Sequence, residues 1–494
     1  MPTKKNRGRV SNSGQEAVFQ NYLSRMTELL LEKDLRHSDR NSEVTSVARV
    51  QTLGVLRALN CVRRGTVLMF LGDSELIDAE SPVIDLEGAQ LGGTRLENLS
   101  LNRSRLIRVN LEKARLRGVS LIWSQLDGAI LTEASLDGAN LYEANLAEAN
   151  LSQASLVGAN LTRANLERSN LGGANMTLAN LYEARLGQAR LNRVCLQEAI
   201  LTGANLKQAK LDKAQMDNSN LDRAGLYGAV LKEASLKGAS LADVTLGKAN
   251  LVGANLTSAS LARAKMEKTN LVAANLSEAD LTEADLTGAT LDMVIMPGAI
   301  LAGARLFQAS LIGANLESTS LKRTNLFEAD FSGARLAQAN MVETILNGAY
   351  LIDTNLERAR LDRAYLLEAD LTGARLLQTD LSGAILDGAN FTKADLGHAI
   401  LVGASMERAN LRGANLAGAR LDWANLLGAQ YDRCTQWPND FNPIRAGAIR
   451  IEERSQARYE PAISTRVRPV ELSHQHPGLK WRKQQGASIS SGSL

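Results

Sequence analysis

Aromatic residues make up only 4% of this sequence, and proline occupies only 8 of its 494 positions. A chain of this length has room for several mixed globular cores, but such cores draw on the large aromatic side chains that are scarce here. Cysteine is equally sparse. Cys61, Cys195 and Cys434 are far apart and form no CxxC pair, which excludes a disulfide framework and a cysteine-rich zinc site and suits a reducing compartment. No apolar run reaches the roughly 18 residues needed to cross a bilayer. The basic start, MPTKKNRGRVSNSGQ, has no apolar stretch behind it to act as a secretory signal, so a cytoplasmic location is expected. Neither sign of charge dominates: 56 basic residues stand against 53 acidic ones, a net of +3. The molecule as a whole therefore has no strong pull toward nucleic acid or membrane.

Catalytic equipment is also missing. The four histidines are His37, His398, His474 and His476, and the closest pair, in HQH, has no cysteine beside it to complete a metal set. No phosphate-binding loop, dinucleotide fingerprint or nucleophile elbow is present. Between residues 86 and 430, 36 acidic and 34 basic side chains are spread evenly, and no two carboxylates stand out as a general acid and base. Cys195 falls one residue before Leu196 and reads as an inert surface thiol rather than a reactive one. The expectation is no catalytic residue, no metal, no cofactor and no enzyme.

What the chain has in abundance is leucine, alanine, asparagine and glycine. Residues 141–161 read LYEANLAEANLSQASLVGANL, with leucine at every fifth position. A helix advances about 100° per residue and would scatter such a series around its axis. A continuous strand would throw successive leucines onto opposite faces. From 86 to 426, all 69 positions of the series hold Leu, Met or Phe, with Met176, Met216, Met266, Met296, Met341, Met406, Phe331 and Phe391 as the departures from Leu. Two residues earlier stands mostly Ala. Ala-Asn-Leu is small, polar, large, the in-out-in pattern of a three-residue extended segment. The other two residues must then turn the chain. Glycine is frequent at the second of them, as at Gly128, Gly158 and Gly203, where a type II turn requires φ > 0. The single proline of this stretch, Pro297, is followed by Gly298, which places the pair at the two central corner positions. A chain that bends in the same sense every five residues winds into a coil, and stacked coils satisfy one another's backbone hydrogen bonds. The beat alone leaves the number of sides per coil open.

The tandem A-(N/D)-L-x-x motif resembles that of the pentapeptide repeat proteins, over about 70% of the chain. The resemblance implies an all-β solenoid, a right-handed quadrilateral β-helix with four pentapeptides per coil. That means about 17 coils and a shaft about 80 Å long at roughly 4.8 Å per stacked strand. The closing stretch YDRCTQWPNDFNPIRAGA is similar to the segment that follows the repeats in many cyanobacterial members, and the helical lead-in resembles that of some of them.

Both ends need covering, because a terminal coil exposes unpaired backbone groups and an open leucine column. Residues 1–13 read as a disordered basic head carrying Lys4, Lys5, Arg7 and Arg9. Residues 14–80 read as α-helical. A helix is expected from about Gln15 to Arg36 with Phe19, Tyr22, Leu23, Met26, Leu29 and Leu30 on one side. A second is expected after an N-cap at Ser42 with Val44, Val47, Ala48, Val55 and Leu59 sharing a face, and a shorter third in TVLMFLGDSELI. The repeat is expected over 83–430, with Pro82 and the helices over its first coil. A C-terminal cap is expected over 431–449, built from Tyr431, Trp437 and Phe441, and a flexible basic tail over 450–494.

Function must then lie on the surface. With twenty residues per coil, Asn140, Asn160 and Asn180 stack as a polar ladder. Under the same assumption Ile345, Tyr365 and Ile385 stack as an apolar strip with Tyr350 one corner away, a candidate interaction site. The leading reading is a non-enzymatic structural or protein-interaction scaffold that docks an unidentified protein partner through its ends or surface. Two alternatives remain. The family resemblance implies a DNA-shaped protector of type II topoisomerases, but a duplex mimic needs about one negative charge per 1.7 Å of axis, and the 86–430 segment sums to −2. The basic termini would instead serve nucleic-acid or peripheral membrane-surface binding. Oligomeric state is not readable from the sequence.

Overall fold

A computed structural model describes residues 12–452. Most of the expected basic head, and the expected tail beyond residue 452, lie outside the described residues.

Three helices come first. Helix α1 spans Asn12–Glu32 and buries Phe19, Tyr22, Met26 and Leu29. It starts three residues before the expected Gln15 and stops short of Arg36, because Asp34 adopts a left-handed conformation (φ 46°) and the chain passes into a 3-10 turn at Leu35–His37. Helix α2 spans Glu43–Ala58, and its N-cap is Ser42, whose side chain accepts a hydrogen bond from the Thr45 amide. Its buried face is Thr45, Ala48, Thr52, Val55 and Leu56, whereas Val47 is 38% exposed. The expected face was rotated because two threonines are buried in it. Their hydroxyls turn back onto the backbone, Thr52 Oγ1 donating to Ala48 O at 2.8 Å, so burial leaves neither hydroxyl unsatisfied. Thr52 also meets the Tyr22 hydroxyl at 2.9 Å, which ties α1 to α2. Burial pushes the Tyr22 phenol up to about 12. Helix α3 spans Cys61–Asp73, five residues earlier in onset than expected, because Asn60 caps it by accepting from the Arg63 amide.

From Gln90 onward the chain pairs with itself in parallel, residue i with residue i+20, through Asn140↔Asn160, Asn160↔Asn180 and every corresponding pair to Asn410↔Gln430. A twenty-residue coil therefore holds four five-residue units. The unit Leu141–Asn145 shows where its five amides go. Leu141 N donates to Asn160 O (2.7 Å), Glu143 N to Thr162 O (3.0 Å) and Asn145 N to Ser124 O (2.9 Å), all between coils. Ala144 N closes the corner onto Leu141 O at 3.0 Å. The fifth, Tyr142 N, goes to the side chain of Asn140 at 3.2 Å. Asparagine before the leucine is thus an Asx cap for the corner that follows it. At some corners an Asn or Asp one coil earlier accepts instead, as Asn347 does for Leu367 N (3.0 Å), where Tyr365 cannot. Pro297, two residues after Ile295, has no amide to satisfy and needs neither device.

Every leucine of the series from Leu106 to Leu416 is 2% exposed or less, and the alanines two residues before are equally buried. At most places where Ser or Thr replaces that alanine its hydroxyl bonds to backbone, as Thr319 Oγ1 does to Met296 O (2.9 Å). The residue before each of these alanines takes φ between about 50° and 73° whether it is glycine or not: Gly158 has φ 63°, Glu143 52° and Arg163 56°.

Both ends are closed. Two first-coil amides bond into the helical region, Arg95 N to Cys61 O (3.1 Å) and Arg105 N to Ile77 O (2.7 Å), and Pro82 is buried. Helix α3 approaches so closely that a Cβ added to Gly65 would lie 2.1 Å from Arg95 O. Gly65→Ala is therefore expected to lift α3 from the first coil at a cost of about 1–3 kcal/mol. Thermal unfolding, with hydrogen exchange at Arg95, checks this: the substitution should lower the melting temperature and release that amide. An unchanged melt would place α3 elsewhere.

At the other end the register slips by one residue, Asn415 pairing with Gln436. Strand β1 (Gln430–Tyr431) pairs in parallel with β2 (Ile449–Arg450). Tyr431 meets Trp437 edge-on at 5.4 Å, and Trp437 stacks on Phe441 at 5.3 Å. Asp432 Oδ1 accepts from the amides of Gly413 (3.0 Å), Cys434 (2.9 Å) and Thr435 (3.1 Å). Burial opposes ionisation of Asp432, but these amides outweigh it and hold the carboxyl below its ordinary value. Since the folded value is lower, the carboxylate contributes fully above its unfolded value of about 3.9, and that contribution is lost as pH falls through the folded value. Asp432→Ala is expected to loosen the cap by about 1–2 kcal/mol at neutral pH and to remove part of the acid sensitivity of β1–β2. Amide exchange at Ile449 against pH is the check, and identical profiles in both proteins would contradict it.

Candidate interaction surface

Because each coil is twenty residues long, side chains twenty apart form straight columns on the outside of the shaft. Polar columns come first. Asn160 Nδ2 donates to Asn140 Oδ1 (3.0 Å), and Asn165 and Asn170 do the same to Asn145 and Asn150 (2.8 and 3.0 Å). Asn180, expected as the next rung, pairs with Asn160 in the backbone ladder and its oxygen accepts from the Tyr182 amide at 3.0 Å, but its side-chain amide makes no bond to Asn160 among the described residues.

Charged columns alternate in sign. Arg163 bridges Glu183 at 2.8 Å, Arg263 bridges Asp243 at 2.8 Å, and Glu343 stands between Arg323 (2.7 Å) and Arg363 (3.1 Å). Hydrogen bonding from Arg323 holds the Glu343 carboxyl below its ordinary value, and Arg163 does the same for Glu183. Near the start of this edge the Arg103 guanidinium lies 5.2 Å from the Trp123 ring centre, and Trp123 Nε1 donates to Glu143 at 2.9 Å. Such pairs leave little uncompensated field along the shaft.

The apolar strip expected from the sequence is brought together. Ile345 pairs with Tyr365 and Tyr365 with Ile385 in the parallel ladder. Ile345 is 38%, Tyr365 44% and Tyr350 50% exposed, and Ile385 is half-buried. The sequence reading missed the corner between the strip and Tyr350. There Phe307 and Phe327 stack at 5.6 Å with planes 15° apart, and Leu367 is exposed in the same column. A groove of ≈ 550 Å³ runs along this corner, lined by Phe327, Asn347, Leu367, Asp387 and Glu407 of this column and by Glu328, Glu368 and Arg408 beside them. The signal was present as residues 307, 327 and 367, but they fall in line only once the coil length is known.

A second groove, ≈ 590 Å³, lies between α1 and α2, with Val18, Tyr22, Gly54 and Ala58 among its lining residues. Arg25 is the one charged residue on its wall, so no charge pattern there nominates an occupant. Among the described residues no group of three or more His, Cys, Asp or Glu is placed to hold a metal ion. Cys195 is half-buried with Sγ 3.5 Å from Gln215 Oε1. His474 and His476 lie outside the described residues. No helix among those described is long and apolar enough to cross a membrane.

Comparison with known proteins places these features in context. The family profile described as "Pentapeptide repeats (8 copies)" matches overlapping segments that run from residue 84 to residue 427. No curated protein matches the chain. Among solved structures, HetL, a pentapeptide repeat protein involved in heterocyst differentiation regulation in the cyanobacterium Nostoc, is 34% identical. That match covers 49% of this chain and 89% of HetL, with a TM-score of 0.29. Rfr23, a pentapeptide repeat protein of the cyanobacterium Cyanothece, is 37% identical over 23% of this chain and 63% of its own, with a TM-score of 0.16. QnrB1, a plasmid-mediated fluoroquinolone resistance protein, is 17% identical over 40% of this chain and 91% of its own, with a TM-score of 0.21.

Proposed function

From the premise that this chain belongs to the pentapeptide repeat family, we propose that it acts as a non-enzymatic scaffold, a rigid β-helical rod that holds protein partners by shape. The rod is a right-handed, four-sided column of about 17 coils and about 80 Å, at roughly 4.8 Å per coil. It works in the cytoplasm.

One observation carries this reading. Both inward columns are closed to solvent and the strand amides are spent on the inter-coil ladder, so what the shaft offers a partner is fixed columns of outward side chains. A reaction site needs a concavity with converging polar groups. The grooves found among the described residues open on the surface, and no such convergence of polar groups marks them out. DNA mimicry is the weaker reading, because the alternating columns neutralise the charge that a duplex carries at every phosphate.

Quantitative affinity capture with the full-length chain tests the scaffold. The expected result is a reproducible set of stoichiometric partners that is lost in a Leu256→Asp chain, whose shaft is broken in the middle. Equal retention by the broken shaft, or no partner enriched above control, would overturn it.

A further inference from the structure

The corner bearing Phe307, Phe327 and Leu367 combines two features, apolar side chains and a local excess of negative charge. Phe327 and Leu367 give its groove two apolar contacts on either side of Asn347, and the Ile345–Tyr365–Ile385 strip stands in the column two residues earlier in each coil. The groove rim is acidic: four carboxylates, Glu328, Glu368, Asp387 and Glu407, stand against one guanidinium, Arg408. On the neighbouring edge Glu343 pairs with Arg323 and Arg363. None of the four groove carboxylates makes an ion pair among the described residues.

We propose that this groove docks a cationic amphipathic α-helix of a partner protein. The inference rests on the scaffold reading and names the surface and the partner chemistry for it. The rim decides the sign. Negative potential repels nucleic acid and anionic lipid, and it repels the same rim on a second copy of this chain. It attracts a segment carrying Lys and Arg. The floor demands apolar side chains on that segment, because a purely hydrophilic cation would leave Phe327 and Leu367 wet.

The ladder decides the shape. Strand addition needs unpaired backbone N–H and C=O along an edge, and here those groups bond along the shaft, Leu346 N to Tyr365 O (2.6 Å) and Leu366 N to Ile385 O (2.7 Å). Recognition must therefore go through side chains. Phe327 and Leu367 sit two coils apart, about 9.6 Å at the usual strand spacing. Residues seven apart on a helix are separated by about 10.5 Å, so an i, i+7 pair on a helix lying along the corner meets both. Its Lys and Arg residues then face the carboxylates on either side.

The test uses full-length protein and two labelled 18-residue helical peptides with the same leucine stripe, one with Lys and one with Glu at the remaining positions, read by fluorescence anisotropy. Three paired variants are compared: Phe327→Ser with Leu367→Ser, Glu328→Lys with Glu368→Lys, and a remote control, Glu198→Lys with Glu267→Lys. All six positions face outward, and thermal unfolding confirms that each variant folds. The expected result is saturable binding of the Lys peptide that both groove variants weaken tenfold or more and the remote control leaves within twofold. Binding should fall as salt rises, and the Glu peptide should bind only after rim reversal.

No binding of the Lys peptide overturns the proposal. So does an equal loss in the remote control, which would mean diffuse attraction, or insensitivity to the floor substitutions, which would mean an ionic contact alone. Concentration-dependent self-association abolished by the floor variant would make a second copy the occupant and overturn it too. The scaffold reading stands or falls separately: partners captured by the full chain and kept by both groove variants would sink the groove and leave the scaffold.

Discussion

Leu256→Asp is expected to cut the shaft in two. Leu256 is fully buried, with Leu236 and Leu276 one coil away on either side in the same column. A carboxylate there has no water and no partner, because the neighbouring amides are taken; the residue's own N–H already bonds to Asn275 O at 2.7 Å. Burying an unpaired charge of this kind costs more than about 4 kcal/mol. A stack in which each coil touches only its neighbours loses cooperativity at the damaged coil while the rest keeps its own contacts. Two unfolding steps should therefore replace one, and limited proteolysis should cleave near residue 256 and release two resistant fragments. Asn255→Asp is the control one residue away. Asn255 Oδ1 accepts from Thr257 N (3.1 Å) and the Thr257 hydroxyl (2.6 Å), a task a carboxylate performs equally, so this change should stay within about 0.5 kcal/mol. A Leu256→Asp protein that melts like its parent would show that the leucines do not face inward.

The second large effect separates two proline substitutions only two residues apart. Ile300 N donates to Ala279 O at 2.9 Å, so Ile300→Pro removes a rung and drives a ring into the ladder, at a cost of about 3 kcal/mol or more. Ala302 occupies the corner position that Pro297 fills in the preceding unit, is likewise followed by a left-handed glycine, Gly303 (φ 70°), and its amide makes no hydrogen bond among the described residues. Ala302→Pro should be neutral or raise stability by up to about 1 kcal/mol through the unfolded chain. Chemical denaturation of the two variants gives the comparison directly. Similar midpoints would contradict the assignment of corner and rung.

Much of this could be read from the chain itself, for physical reasons. A leucine beat of five without a slip is compatible only with a corner in every unit, since neither helix nor strand keeps such a series on one side. Pro297-Gly298 located the corner, and Ser42 announced an N-cap that the structure has. The number of corners per coil was another matter. A five-residue beat fixes the bend but not how many bends close a turn; the i to i+20 pairing supplies that. Glycine at the corner also suggested too strict a rule. Glu143 and Arg163 hold the same left-handed conformation, and the inter-coil bonds of their amides offset the roughly 1–2 kcal/mol such a residue costs.

Asparagine was read as an inter-coil ladder, and it is also a corner cap; Asn180 serves only the second role. The buried face of α2 was misjudged at Val47 because threonine looks polar in a sequence, while Thr45 and Thr52 bond to backbone inside the helix. Of the candidate surface, Ile345, Tyr350, Tyr365 and Ile385 were within reach of the sequence once a twenty-residue coil was assumed. The acidic rim was not, because Glu328, Glu368, Asp387 and Glu407 are unremarkable until stacking puts them on one edge.

The central claim is that twenty residues of sequence advance the shaft by one strand spacing, from one end to the other. Electron–electron distance measurements between spin labels test it most directly. Labels would replace Gln188 with either Gln308 or Glu368, corner residues of one column six and nine coils apart, in a chain whose three cysteines are changed to serine. The account predicts narrow distributions centred near about 29 Å and about 43 Å, in proportion to the coils between them at roughly 4.8 Å each. Distances that fail to grow with that proportion, or broad distributions spanning the range of a collapsed chain, would contradict it.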